Sequence, residues 1–364
     1  MSTFVKKMKN MENPFKFGTI VQEEFFTDRK EEIGKIQQIL ESKNHLILIS
    51  PRRFGKSSLI HKATKIIGRP TIYVDLQLVT DIDDFASQLL KKLFVIYKWE
   101  RIKQAVKSFR IIPTISIHPG NNTVEVTFNA ANDVFICLED VLNLIEKLGQ
   151  KGERPIVVID EFQEIRNIGK QIEKKLRSVL QVHQSVNYVF LGSAESMMRE
   201  IFEKKKSPFY HFGLLMPLPK IPYDDFFDFL NKRFRKIIKN SKETAERILA
   251  FTGCHPYYTQ QLAFHIWMGI ENKSFTGNYI EHAITEMIML HDNDYERLWN
   301  TIRQTDKKIL IALSQQNLRA LNLPASTLYS GLKRLSEQGY VIKETTFEMD
   351  DPFFKHWIIK RREK

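Results

Sequence analysis

The chain is short of cysteine. Cys137 and Cys254 are the only two among 364 residues. Both stand in apolar surroundings, which argues against a disulfide framework or a zinc site and fits a reducing compartment. No apolar run approaches the roughly 18 residues needed to span a bilayer. The opening stretch MSTFVKKMKN lacks the apolar centre of a secretory signal, so the expected location is cytoplasmic. Acids are outnumbered, 43 Asp and Glu against 55 Lys and Arg, for a formal net charge of +12. That excess admits nucleic acid or another polyanion as a partner, and equally an ordinary basic surface. At 43% hydrophobic and 27% charged the composition is that of a folded globular protein with room for two or three domains.

What is present is organised around LILISPRRFGKSSL, residues 46–59. Leu46, Ile47, Leu48 and Ile49 have no polar face, the pattern of a parallel strand buried on both sides. Ser50, Pro51, Arg52, Arg53, Phe54, Gly55, Lys56 and Ser57 follow, and Ser58 opens a helical pattern. Strand, loop, Gly-Lys-Ser and helix form the context of a phosphate-binding loop. Backbone N–H groups there would receive phosphate oxygens. Lys56 would reach the β- and γ-phosphates and the Ser57 hydroxyl would ligate Mg²⁺. Arg52 and Arg53 would meet phosphates or pair on the surface.

The second half of such a site lies well downstream. Ile156-Val-Val-Ile159 is another buried strand, and it ends in Asp160 and Glu161. An Asp at that carboxyl end can hold Mg²⁺ opposite Ser57, and Glu161 is placed to act as general base on the attacking water. Val186–Leu191 reads as a further strand, making Ser193 a candidate sensor of the γ-phosphate, or simply part of a Gly-Ser turn.

Around these pieces, Thr27 or Asp28 is expected to cap a helix through Ile33, Ile36, Ile39 and Leu40. Thr71–Leu76 should be a strand, and Asp83–Tyr97 a helix capped near Asp81. Residues 98–110 are basic. Thr114–His118 and Thr123–Phe128 alternate about a turn as a β-hairpin decorating the sheet edge. The prolines around 217–222 mark a domain boundary near Pro219. Residues 223–300 read as helices, Tyr223–Lys239, Lys242–Phe251, Pro256–Ile270 and Asn278–Arg297. A helix over Pro324–Gln338 with a hairpin after Gly339 has a winged helix-turn-helix pattern. Lys333 and Arg334 are expected outward there as possible DNA contacts, and the tail from Asp351 to Trp357 is expected to pack back on the protein.

In this order the pieces resemble the prokaryotic AAA-type P-loop ATPases of the STAND class, related to origin-recognition ATPases. The matching stretches are Asn13-Pro-Phe, Phe26-Thr-Asp-Arg29, Pro51 to Ser58, Ile159 to Gln163, Phe190 to Ser193, Pro208-Phe-Tyr210 and His255-Pro-Tyr-Tyr258. The resemblance implies an α/β fold: an AAA-type parallel-sheet core over 1–219, an all-helical lid over 220–300, and a winged-helix domain with its tail over 301–364. It also implies that Val21–Arg29 lies near the adenine, with Arg29 among the nucleotide contacts. His255 and Pro256 would be the lid contact that replaces a sensor arginine. Ser50 departs from the glycine usual at its position, and Cys254 from a second glycine. No arginine finger is assignable among Arg166, Arg177 and Arg199.

The expected function is an ATP-binding switch with slow Mg²⁺-dependent hydrolysis. The alternatives are a winged-helix DNA-binding regulator with structural nucleotide, or a scaffold whose winged helix docks protein.

Overall fold

Four successive apolar residues with no polar face are satisfied only inside a sheet covered on both sides, and Leu46–Ile49 (β1) is buried at every position. The computed structural model describes residues 12–21, 23–27, 29–118, 123–128, 135–169, 171–272, 274 and 278–363. Helix α1 (Lys30–Glu41) precedes β1. After it come α2 (Lys56–Ile67), β2 (Thr71–Asp75), α3 (Ile82–Ile96), α4 (Trp99–Lys107), β3 (Thr114–His118), β4 (Thr123–Thr127) and α5 (Phe135–Gln150). Then follow β5 (Ile156–Asp160), α6 (Ile172–Leu180), β6 (Asn187–Gly192), α7 (Glu195–Glu203) and β7 (Leu214–Pro217).

Five of these strands form one parallel sheet in the order β2-β5-β6-β1-β7. The carboxyl ends of β1, β6 and β5 are therefore neighbours. Ile47, Ile49, Val157, Ile159 and Phe190 of the sheet share a core with Phe85 and Leu89 of α3 and Leu138 and Ile145 of α5. Each such side chain contributes about 1.5–3 kcal/mol on full burial, so the loops at the strand ends rest on a rigid base.

Two local readings change, and one stretch left without an element gains one. The proline-rich stretch read as a break contains β7, which pairs with β1; Pro217 is tolerated because the strand lies at the sheet edge. The basic stretch after Lys98 is helix α4, with Ile102 and Val106 buried. The expected N-cap of α1 is not formed by Thr27: Arg29 occupies that place in a left-handed conformation, without a side-chain cap bond, and Asp28 lies outside the described residues. The β3–β4 pair is a separate two-stranded antiparallel sheet, packed on α3, and its turn at 119–122 lies outside the described residues. Asp81 does cap α3, its Oδ1 accepting from Asp84 N–H at 2.8 Å.

The chain forms two compact units. The sheet unit holds Arg29–Ser50 and Lys56–Leu218. The helical unit takes in the described residues before Arg29, Pro51–Gly55, and those from Pro219 onward. In the latter, α8 (Tyr223–Phe234), α9 (Ser241–Thr252), α10 (Pro256–Glu271), α11 (Tyr279–Leu290), α12 (Asp292–Thr301) and α13 (Gln304–Ser314) are followed by α14 (Ala325–Glu337), β8 (Val341–Lys343), β9 (Phe347–Met349) and α15 (Pro352–Glu363).

The expected helix over 278–297 is two, bent at His291, which lets Asp292 Oδ1 accept the Trp357 indole N–H at 2.6 Å. One apolar core runs from Phe15, Phe226 and Trp267 through Leu310 and Leu335 to Phe353 and Trp357. The segments expected as separate 220–300 and 301–364 domains therefore share a core, and the unit boundary falls between Leu218 and Pro219. Among the described residues no helix is long and apolar enough to cross a membrane.

Candidate nucleotide-binding site

In the sheet unit, the strand ends gather Ser50, Lys56, Ser57, Ser58, Asp160, Glu161 and Ser193. Ser50 is fully buried at the end of β1, with its N–H near Gly192 O of β6 at 3.4 Å. Lys56, at the first turn of α2, is also buried, and its Nζ donates to the Ser50 carbonyl at 3.1 Å. Ser57 Oγ donates to Asp160 Oδ2 at 2.9 Å. This is the pairing expected of a loop serine and a strand-end aspartate that share a cation. Asp160 Oδ1 accepts from Glu161 N–H at 2.9 Å.

Tyr73, on β2, was not foreseen in the site. Its Oη donates to Asp160 Oδ2, and its ring stacks on His61 of α2 with centroids 4.8 Å apart. Burial, then the Asp160 charge, push the phenol far above its ordinary value, so it stays a donor. A tyrosine in an otherwise apolar strand needs a partner for its hydroxyl, and that need was the only signal the sequence offered. Burial also raises the neighbouring Asp75 carboxyl, with Asp160 and Glu161 adding to the effect. Asp160 and the Ser57 hydroxyl offer oxygen donors, the kind that Mg²⁺ takes together with phosphate oxygens and water.

Glu161 has a left-handed backbone, φ 49°, a sparsely populated conformation for a residue with a Cβ. Its Oε2 accepts from Ser193 Oγ at 2.6 Å, from Ser193 N–H at 3.3 Å, and from Gln163 Nε2. Ser193, expected as a γ-phosphate sensor, is thus engaged with the candidate base. Arg29 is buried and paired with Glu32 at 2.9 Å. Of the candidate fingers, Arg166 pairs with Glu173 and Glu200, Arg177 donates to the Pro208 carbonyl, and Arg199 pairs with Glu203.

In the helical unit lies the tip of the loop. Gly55 has φ 89° and nothing within 4 Å of where a Cβ would stand, so glycine is needed there for its conformation. Arg53, also left-handed at φ 65°, donates through Nη1 to Tyr258 Oη at 3.1 Å and lies 4.7 Å over the Tyr257 ring. Phe54 is buried, edge-on to His255 at 4.9 Å. Arg52 and Pro51 flank them, Arg52 exposed. His255 caps α10, its Nδ1 accepting from Tyr257 N–H at 3.2 Å, with Pro256 in the first turn. Its Nε2 lies 3.2 Å from Asp350 Oδ1, off the hydrogen-bond line. Asp351 next door accepts from Tyr295 Oη at 3.1 Å and from the N–H groups of Phe353 and Phe354. Gly253 and Cys254 are both left-handed, at 57° and 59°, which explains why a second glycine is the easier residue at 254.

Arg334, expected outward, is half-buried instead. Its guanidinium grips buried Asp306 with two bonds of 2.8 and 2.6 Å. Lys333 is exposed, 3.8 Å from Glu337.

A parallel sheet with Gly-Lys-Ser after one strand and Asp-Glu after another, joined through Ser57 and Asp160, defines the chain as a P-loop ATPase. Residues 26–262 match the family described as an ATPase domain predominantly from Archaea. That is most of the chain, and the protein belongs to this family. No curated protein matches the sequence. Among solved structures, the chain is similar to the Walker-type ATPase PABY2304 of Pyrococcus abyssi, at 17% identity over 95% of this chain and 99% of that one, TM-score 0.66. It is also similar to the Aeropyrum pernix ORC2 protein in ADPNP-ADP complexes, at 14% identity over 96% and 100%, TM-score 0.52. The ORC1 protein of the same organism, in complex with DNA, is 12% identical over 93% of each chain, TM-score 0.50. At these identities the likeness is one of fold.

Proposed function

We propose that this protein binds Mg-ATP and acts as a cytoplasmic nucleotide-dependent switch of the STAND class, with slow hydrolysis. The observation that carries the reading is the Ser57–Asp160 hydrogen bond of 2.9 Å with Glu161 beside it. Phosphate oxygens would take the place of the Ser50 carbonyl as partners of Lys56 Nζ, and the N–H groups at the start of α2 would cradle them. Ser57 Oγ and Asp160 would hold Mg²⁺. The ion would supply charge neutralisation on the phosphates.

Glu161 Oε1 would take a proton from the attacking water. The water oxygen bonds to the γ-phosphorus while the bond to the bridging oxygen breaks, and its electron pair leaves on ADP with inorganic phosphate as co-product. Three candidate arginines are committed to other partners, which supports a slow rate. Arg29 and Val21 remain the residues read as nearest the adenine.

In the helical unit, the loop tip bears on His255, Pro256 and Tyr258. Asp350 and Asp351 lie between those residues and α15, behind β9. We read α14 with the β8–β9 hairpin as the winged helix whose disposition follows the nucleotide. The test is hydrogen exchange at 250–258 and 349–357 with ADP and with a non-hydrolysable ATP analogue. The switch requires different protection in the two states, and identical protection contradicts it.

A second reading, DNA binding or protein docking through the winged helix, rests on exposed Ser326, Thr327, Ser330 and Lys333 of α14. With Arg334 tied to Asp306, Lys333 is the exposed cation of α14 on which it depends. A salt-sensitive DNA shift abolished by Lys333→Glu supports this reading, and indifference to DNA at low salt removes it.

A further inference from the structure

We infer that Gln163 is the positioning residue of the hydrolytic base: its side-chain amide fixes the Glu161 carboxylate so that one oxygen is anchored and the other is left for water. This rests on the proposed role of Glu161.

Gln163 follows Glu161 by two residues, in the 3₁₀ turn Phe162–Glu164 that Glu161 opens. Its side chain is 2% exposed. Nε2 donates to Glu161 Oε2, the oxygen that also receives Ser193 Oγ and Ser193 N–H. Three donors therefore converge on one carboxylate oxygen, and none of them on Oε1. A carboxylate held this way cannot rotate about its terminal bond without breaking three hydrogen bonds.

The other end of the amide makes the point sharper. Gln163 Oε1 is buried with no hydrogen-bond partner, an arrangement that costs stability. Leucine or methionine would fill the same volume without that cost. What an apolar residue cannot supply is the N–H to Glu161. The neighbourhood is shaped around the amide as well: a Cβ on Gly192, at the end of β6, would stand 2.8 Å from Gln163 Oε1 and run into Met198. Violations of buried-polar economy in a well-packed core concentrate at functional sites, and the left-handed backbone of Glu161 is a second violation two residues away.

A general base must lie in line with the water it deprotonates, and small misplacements are costly. Gln163 does not touch substrate in this account. It acts through Glu161, so its loss changes turnover and leaves nucleotide binding alone.

The experiment is single-turnover hydrolysis and equilibrium nucleotide binding for wild type, Gln163→Leu, Gln163→Glu and Glu161→Gln. Gln163→Leu should lower the hydrolysis rate about tenfold, with ATP affinity within about twofold of wild type. Gln163→Glu places a second carboxylate against Oε2, and like charges raise a carboxyl pKa. The acid limb of its rate–pH profile should therefore move upward by about one unit, a shift that mere loss of packing does not produce. That near-isosteric variant also serves if the leucine variant fails to fold. If Glu161→Gln is inactive while both Gln163 variants keep the wild-type rate and profile, the inference is overturned and the reading of Glu161 stands. Wild-type turnover by Glu161→Gln overturns both.

Discussion

Arg53 of the phosphate loop donates to Tyr258 Oη at 3.1 Å across 205 residues of sequence, with its guanidinium 4.7 Å over the Tyr257 ring. Arg53 is thereby committed to the helical unit, in which Pro51–Gly55 is grouped by its packing. Arg53→Ala should leave ATP binding within about threefold of wild type, since the proposed site assigns the phosphates to Lys56 and the loop N–H groups. It should abolish the ADP-to-ATP difference in exchange protection at 349–357. Retention of that difference would mean that Arg53 is not the link.

Tyr73 holds one oxygen of Asp160 in place and is itself backed by His61. Groups that orient a metal-binding carboxylate typically affect metal affinity or activity by 10- to 100-fold. Tyr73→Phe should therefore raise the Mg²⁺ concentration for half-maximal hydrolysis by about tenfold, without changing ATP affinity measured in a chelator. An unchanged Mg²⁺ dependence would reduce Tyr73 to packing.

The Arg334–Asp306 pair is a fold contact. Asp306 is 2% exposed, and removing its partner leaves a buried carboxylate uncompensated. Arg334→Ala should lower the melting temperature by about 5 °C, while Lys333→Ala should leave it within about 1 °C. Equal, small effects would contradict the packing role.

His45 predicts the acid sensitivity of the sheet unit. Burial, then the charges of Arg177, His183 and Arg154, lower it from 6.5 to about 4, and its Nδ1 accepts from Tyr188 N–H at 3.2 Å, as a neutral ring can. The folded value lies below the unfolded one, so between them the unfolded chain binds more protons. Its contribution to stability is complete above pH 6.5 and is lost as pH falls towards 4. Denaturation midpoints across that window should fall for wild type and flatten for His45→Asn, whose Oδ1 can still accept from Tyr188. Parallel curves would place the acid sensitivity elsewhere.

The legible parts were those set by local pattern. The strand 46–49, the Gly-Lys-Ser turn and the Asp160-Glu161 pair follow from runs of apolar residues and what ends them. The hairpin over 114–127 follows from strict alternation. β7 was hidden because two nearby prolines look like a break unless the strand's place at the sheet edge is known. Tyr73, Gln163 and the Arg53–Tyr258 bond were hidden for another reason: each is ordinary in its own segment and acquires a role only through a partner brought near by folding. Arg334 shows the converse, a charge placed outward by helical periodicity and turned inward by Asp306 from another helix.

The central claim is that Lys56 and Glu161 divide binding from hydrolysis at one site. ATP affinity and single-turnover rate, measured side by side with Mg²⁺ for wild type, Lys56→Ala and Glu161→Gln, test it most directly. The account predicts that Lys56→Ala loses affinity, whereas Glu161→Gln binds ATP as tightly as wild type and hydrolyses it at least about a hundredfold more slowly. A wild-type protein that binds no ATP, or a Glu161→Gln variant that turns it over normally, would contradict it.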